Sequence, residues 1–328
     1  MAMHVAKLAL AVCFSAGVTL AHAAGLKTFE VPADAAGPAL QVAMWSPCAA
    51  PPGEVKLGPF TLPVVRDCPI IGDKLPLVVI SHGFRGNDLG HHDTAEALAD
   101  AGFVVVALNH PGDTSSSSEE THGLPALTGR PTDVKRLIDF MLGASPDAAK
   151  IDPQRIGFFG FSRGGYTGLV VGGANPDFTK LLPRCREATG TTCAAEASSP
   201  LATQPLTHDP RVKALVVADP LAVVLPTAES LKDIKVPLQL WSSERGGDGV
   251  LPDEVAAVAA HLPVKPEFHL VANSAHFAFL TPCPEAMAKR RPELCVDAPG
   301  FDRVAFHQDL NSQVLAFLRR HLVEGAAH

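Results

Sequence analysis

Arg155-Ile156-Gly157-Phe158-Phe159-Gly160-Phe161-Ser162-Arg163-Gly164-Gly165, running on to Tyr166–Val171, is the stretch that decides the fold. It reads as an apolar strand that passes through a Gly-x-Ser-x-Gly turn into a helix. A serine at such a strand-to-helix turn must adopt a strained backbone, and the flanking glycines leave room for the close approach of strand and helix. The turn lifts the Ser162 hydroxyl above the sheet edge, where a histidine can reach it.

Working outward, short continuous apolar runs recur at Leu77–Ile80, Phe103–Leu108, Ala214–Ala218, Pro237–Trp241 and Phe268–Ala272. Runs of this length suit strands covered on both faces, as in a parallel sheet. Residues 39–45 alternate loosely and predict an earlier strand. Between the runs, Thr94–Ala101, Thr132–Leu142, Asp253–Leu262 and Val304–Leu322 carry apolar residues at helical spacing. The alternation predicts an α/β fold: a mostly parallel central sheet with helices on both faces. Two segments break it, near 176–210 and 282–301, and both are expected to be insertions that form a rim, a lid or inert decoration.

The chain has 328 residues, 47% of them hydrophobic and 19% charged, enough apolar material for a large core. The formal charge is −7 and no long basic run occurs, which argues against nucleic acid as a partner. Lys7, the uncharged run Leu8–Leu20 and Ala21-His22-Ala23 have the form of a signal peptide over residues 1–23, leaving 24–328 as one domain. The run is shorter than the ~20 residues a membrane span needs, so no stable membrane anchor is expected. A secreted or periplasmic protein follows. Besides Cys13, six cysteines fall as three local couples, and the simplest pairing is Cys48–Cys68, Cys185–Cys193 and Cys283–Cys295. None forms a CxxC, so zinc is disfavoured.

Four further features carry chemistry. Ser81-His82-Gly83-Phe84-Arg85-Gly86 follows the first core strand, where backbone N–H groups can face a developing oxyanion. The expected donors are Phe84 and Arg163, the latter being the residue after the serine. His276 follows the last core strand and is the expected base; His82 is a competing one. The acid is Asp248, in the Gly-rich loop after Pro237–Trp241, or Asp219 at the end of Ala214–Ala218, with Glu244 as a third option. His91-His92-Asp93 invites a metal reading, but adjacent histidines diverge, and Asp93 suits a helix N-cap better.

Together these pieces resemble the α/β-hydrolase superfamily, and within it the dienelactone-hydrolase-like and platelet-activating-factor-acetylhydrolase-like esterases. The matching residues are Val79-Ile80-Ser81-His82-Gly83-Phe84, Gly160-Phe161-Ser162-Arg163-Gly164-Gly165, Asp248 four residues before Pro252, and Ala275-His276-Phe277. The likeness extends from about Ala39 to the final helix. True dienelactone hydrolases have a cysteine where Ser162 stands. The acetylhydrolase branch is similar with its acid at the Asp219 position, and the polyester- and cutinase-like branch with its acid at Asp248.

The resemblance implies a serine esterase that needs no cofactor or metal and acts on a small-molecule ester. The rivals are a phospholipase-A2-like acetylhydrolase of short-acyl lipids, a catalytically silent binding protein of the same fold, and a metallohydrolase using His91, His92 and Asp93. Oligomeric state is not legible in the sequence.

Overall fold

The computed structural model of the protein describes residues 23–115, 123–181 and 200–325. Residues 1–22, which hold most of the expected leader, and the Cys185–Cys193 pair lie outside them. The apolar runs become strands: β1 (Ala24–Val31), β2 (Leu40–Pro47), β3 (Val55–Leu57), β4 (Phe60–Leu62), β5 (Val65–Arg66), β6 (Leu75–Ser81), β7 (Val104–Leu108), β8 (Ile151–Phe161), β9 (Val212–Ala218), β10 (Leu238–Ser243) and β11 (Glu267–Val271). Among the described residues, nine of them form one mixed sheet in the order β11-β10-β9-β8-β6-β7-β2-β1-β5, while β3 and β4 pair as a separate hairpin. The block from β7 to β11 is parallel throughout, and β2 joins it antiparallel to both β7 and β1.

Both faces are covered, which is why the central strands read as unbroken apolar runs. Leu77 and Val79 of β6 face one core with Val104 and Val106. Helix α2 (Leu124–Leu142) supplies Val134, Leu137 and Ile138 to that core, and α3 (Arg163–Val171) supplies Leu169 and Val170. Val78, Ile80 and Val105 face the opposite core, closed by α1 (His92–Asp100) and the C-terminal helix Arg303–Arg319 through Leu98, Leu310, Val314 and Phe317. Full burial of each such side chain is worth about 1.5–3 kcal/mol before entropy is counted.

Several elements differ from the sequence expectation. Helix α2 begins at Leu124 rather than Thr132 and passes through Pro131. Proline removes the bond that Leu127 C=O would accept; Tyr166 Oη donates to that carbonyl at 3.2 Å instead. Strand β11 is at the sheet edge, and Phe268 and Leu270 are exposed, 41% and 58%, so its apolar run is not covered on both faces. The Pro-rich excursion after Cys48 contains β3, β4 and β5, and Cys48–Cys68 closes it.

Asp93 is not the cap of α1: His91 holds that position, and Asp93 lies in the first turn. Asp93 Oδ2 accepts from His307 Nδ1 at 2.7 Å and from Asn311 Nδ2 at 3.0 Å, tying α1 to the C-terminal helix. Burial raises its pKa, but these donors outweigh burial and hold the carboxyl well below its usual range. A depressed carboxylate pKa stabilises the fold above the unfolded value of about 3.9, and that contribution fades as the native group is protonated. Asp93→Ala is therefore expected to lower stability by about 3–5 kcal/mol at pH 7. Urea titrations should show the difference from wild type shrinking below about pH 4.

Candidate active site

The chain leaves β6 for β7 on one side and returns to β8 on the other, which makes the C-terminal ends of β6 and β8 the switch point of the sheet. Ser162 follows β8 there. Its φ and ψ are 56° and −118°, a conformation a non-glycine residue adopts only where its surroundings enforce it. The turn is enforced by contact on both sides. A Cβ on Gly160 would lie 2.2 Å from Gly164 O, and one on Gly164 would lie 1.9 Å from Ser81 O. Ser162 N–H donates to Ala218 O at 3.0 Å, anchoring the elbow to β9.

His276 opens the short 3₁₀ turn after β11, held by its own N–H donating to Gly246 O at 2.9 Å. Its ring packs on Phe161, with centroids 4.6 Å apart. Nδ1 bonds Asp219 Oδ2 at 2.6 Å, whereas Nε2 is buried without a hydrogen-bond partner. Asp219 ends β9 with φ 45°, is fully buried, and also accepts from Ser243 N at 2.8 Å and Ser243 Oγ at 2.8 Å. Ser243 Oγ in turn accepts from Gly246 N at 3.0 Å. Ser243 thus aligns the carboxylate and the loop under His276, a role that the apolar run Pro237–Trp241 does not signal.

Of the candidate carboxylates, the geometry pairs Asp219, and not Asp248, with His276. Asp248 stands exposed in the turn closed by Gly247 and Val250, with φ 48°, and lines the mouth of the cavity. Glu244 is also exposed, and its carboxylate accepts from Asn273 N. A buried strand end brings a carboxylate to His276; the Gly-rich loop presents its own to solvent. His82 is likewise drawn elsewhere. Its Nδ1 donates to Gly83 O at 2.6 Å and its Nε2 accepts from His110 N–H at 3.2 Å, and burial keeps the ring well below its usual pKa.

A cavity of ≈ 80 Å³ is lined by Ser162, His276, Gly83, Phe84, His91 and Leu294, among others. Leu294 comes from the 282–301 segment, which contains the helices Glu285–Arg290 and Pro292–Cys295 and is closed by Cys283–Cys295. This segment therefore contributes to the rim. Most of the other insertion lies outside the described residues. The triplet His91, His92 and Asp93 does not converge. His91 packs on Phe159 and Phe161, His92 pairs with Glu96, and Asp93 faces His307.

A hydrogen-bonded serine–histidine pair is formed by other residues, Ser81 and His110. Ser81 Oγ and His110 Nε2 are 2.8 Å apart, and His110 Nδ1 lies 2.9 Å from Asp133 Oδ2. Sequence reading missed this relay because its three members come from separate segments. Ser81 is 0% exposed against 4% for Ser162, and Ser81 does not line the cavity.

The sheet order and the sharp turn at Ser162 define an α/β-hydrolase fold. No family model and no curated protein matches the chain. Among solved structures, a ferulic acid esterase from Streptomyces cinnamoneus superposes with a TM-score of 0.61 at 18% identity, over 93% of this chain and 91% of that one. It is one of 1045 matching chains, so the fold is a common one and the chemistry has to be argued from the site. Among the described residues no helix is long and apolar enough to cross a membrane. The two disulfides described are of a kind that persists in oxidising compartments.

Proposed function

We propose that the protein is an exported serine esterase whose triad is Ser162, His276 and Asp219. The observation that carries this reading is His276: Nδ1 is fixed by a buried carboxylate, Nε2 has no hydrogen-bond partner, and the residue lines the same cavity as Ser162. His276 Nε2 accepts the Ser162 Oγ proton as Oγ attacks the ester carbonyl. The Phe84 and Arg163 N–H groups receive the oxyanion, helped by the N-terminus of α3. Collapse expels the alcohol, which takes the proton from His276, and an acyl-enzyme is left. Water then repeats the sequence with the same base, releasing the acid and restoring Ser162. Asp219 holds the productive tautomer and stabilises the imidazolium.

The small cavity supports a short acyl group, since sites that engulf drug-sized ligands enclose about 300–1,000 Å³. The acid after β9 matches the acetylhydrolase-like branch of the resemblance, and short-acyl esters, lipid or not, are the proposed substrates. On 4-nitrophenyl esters, kcat/KM should be highest for acetate to butyrate and fall steeply at octanoate, with a feruloyl ester as the aryl comparator. A maximum at octanoate or at the feruloyl ester would remove the short-acyl assignment. The formed Ser81–His110 bond favours a second reading, with Ser81 as nucleophile. Its full burial opposes that reading, and Ser81→Ala losing all turnover while Ser162→Ala kept it would establish it.

A further inference from the structure

We propose that Asp113 and Arg130 are positioning residues that hold the two oxyanion donors, Phe84 and Arg163, in register with each other. This rests on the serine-esterase reading above. The donors come from different segments, the loop after β6 and the first residue of α3, and a shared oxyanion requires both N–H groups to meet one point. One carboxylate connects them. Asp113, in the loop after β7, accepts from Arg130 Nε at 2.9 Å, from Arg163 Nη1 at 3.3 Å and from Arg85 N at 3.4 Å. Arg130, from α2, carries the connection under the loop by donating to His82 O at 2.7 Å and to Gly83 O at 3.0 Å, the two carbonyls that precede Phe84. Above it, the Arg163 guanidinium stacks on the Phe84 ring at 4.2 Å.

Neither positioning residue can touch a substrate, because the side chains of Asp113 and Arg130 are each 1% exposed. Fold stability alone does not call for an ion pair here, since apolar residues of the same volume commonly match or better one, although removing a single partner destabilises. Burial pulls Arg130 down to about 10, which leaves it charged at neutral pH, and Asp113 opposes that shift. Without the carboxylate, the guanidinium groups of Arg130 and Arg163 would repel each other across the base of the oxyanion loop.

The test is kinetic and uses a boronic acid as a mimic of the tetrahedral intermediate. Asp113→Asn should lower kcat on 4-nitrophenyl acetate by about 30–100-fold, in the range seen when one oxyanion donor is lost or misplaced. KM should stay within about twofold, and affinity for butylboronic acid should fall by the same factor as kcat/KM, as for an interaction made in the transition state. Arg163→Met keeps the backbone donor but removes the link to Asp113 and Phe84; it should lose about tenfold in both readouts with little change in Tm. It decides the matter if Asp113→Asn fails to fold. Folded variants that keep kcat within threefold, or lose kcat without losing boronic acid affinity, overturn the inference. An active Ser162→Ala enzyme, or a wild type that does not bind the boronic acid, removes the esterase reading itself and is seen before any Asp113 variant is made.

Discussion

Ser162→Ala is expected to lose on the order of 10⁵–10⁶ in kcat, the scale of nucleophile removal in a serine protease. The fold should survive, because the change deletes one hydroxyl and leaves the elbow's backbone bonds to Ala218 and Tyr166 in place. A circular dichroism melt alongside the assay separates loss of chemistry from loss of structure. Such a large effect is expected because, among the described residues, Ser162 is the one serine, threonine or cysteine that lines the cavity: Ser81 is fully buried, and Arg130 Nη1 lies 3.4 Å from its Oγ. Near-normal turnover by folded Ser162→Ala enzyme would falsify the assignment.

Asp219→Asn is the second large effect. Asparagine preserves the shape but offers His276 Nδ1 the wrong polarity, and the same change in a serine protease lowers kcat by about 10⁴. The carboxylate also accepts from Ser243 N and Oγ. Some loss of stability should therefore accompany the kinetic defect. Asp248→Asn should change kcat by less than about threefold, because a solvent-exposed rim carboxylate with no bond to His276 gives the imidazolium little support. Steady-state kinetics of the two variants, side by side on 4-nitrophenyl butyrate, check the pair. The reverse ranking would place the acid in the Gly-rich loop and restore Asp248.

What the sequence disclosed and what it hid follow a physical rule. The elbow at Ser162 and the loop at Phe84 are legible because their glycines stand at fixed short spacings within one window each, although Gly83 and Gly164 make room for each other's segments rather than for near neighbours in sequence. The parallel core was legible for the same reason, since β6, β7 and β8 each carry their own apolar run. The carboxylate beside His276 was not, because that proximity is created only when β9, β10 and β11 lie side by side, and Asp219 before Pro220 also reads as an ordinary turn residue. Helix α2 reads from Thr132 but extends back to Leu124 through Pro131, whose missing donor is compensated by Tyr166 from another helix. Edge strand β11 imitated a covered strand with residues it leaves in solvent. The Asp113–Arg130 pair joins segments 17 residues apart and has no motif of its own.

The most direct measurement of the central claim is covalent labelling. The native protein is treated with a fluorophosphonate, digested, and the modified peptide located by mass spectrometry. One label per chain on the peptide carrying Gly160-Phe161-Ser162-Arg163 is predicted, with activity lost in step with labelling and no label on Ser162→Ala protein. A label on Ser81, or an enzyme that stays unlabelled while it hydrolyses 4-nitrophenyl acetate, would contradict it.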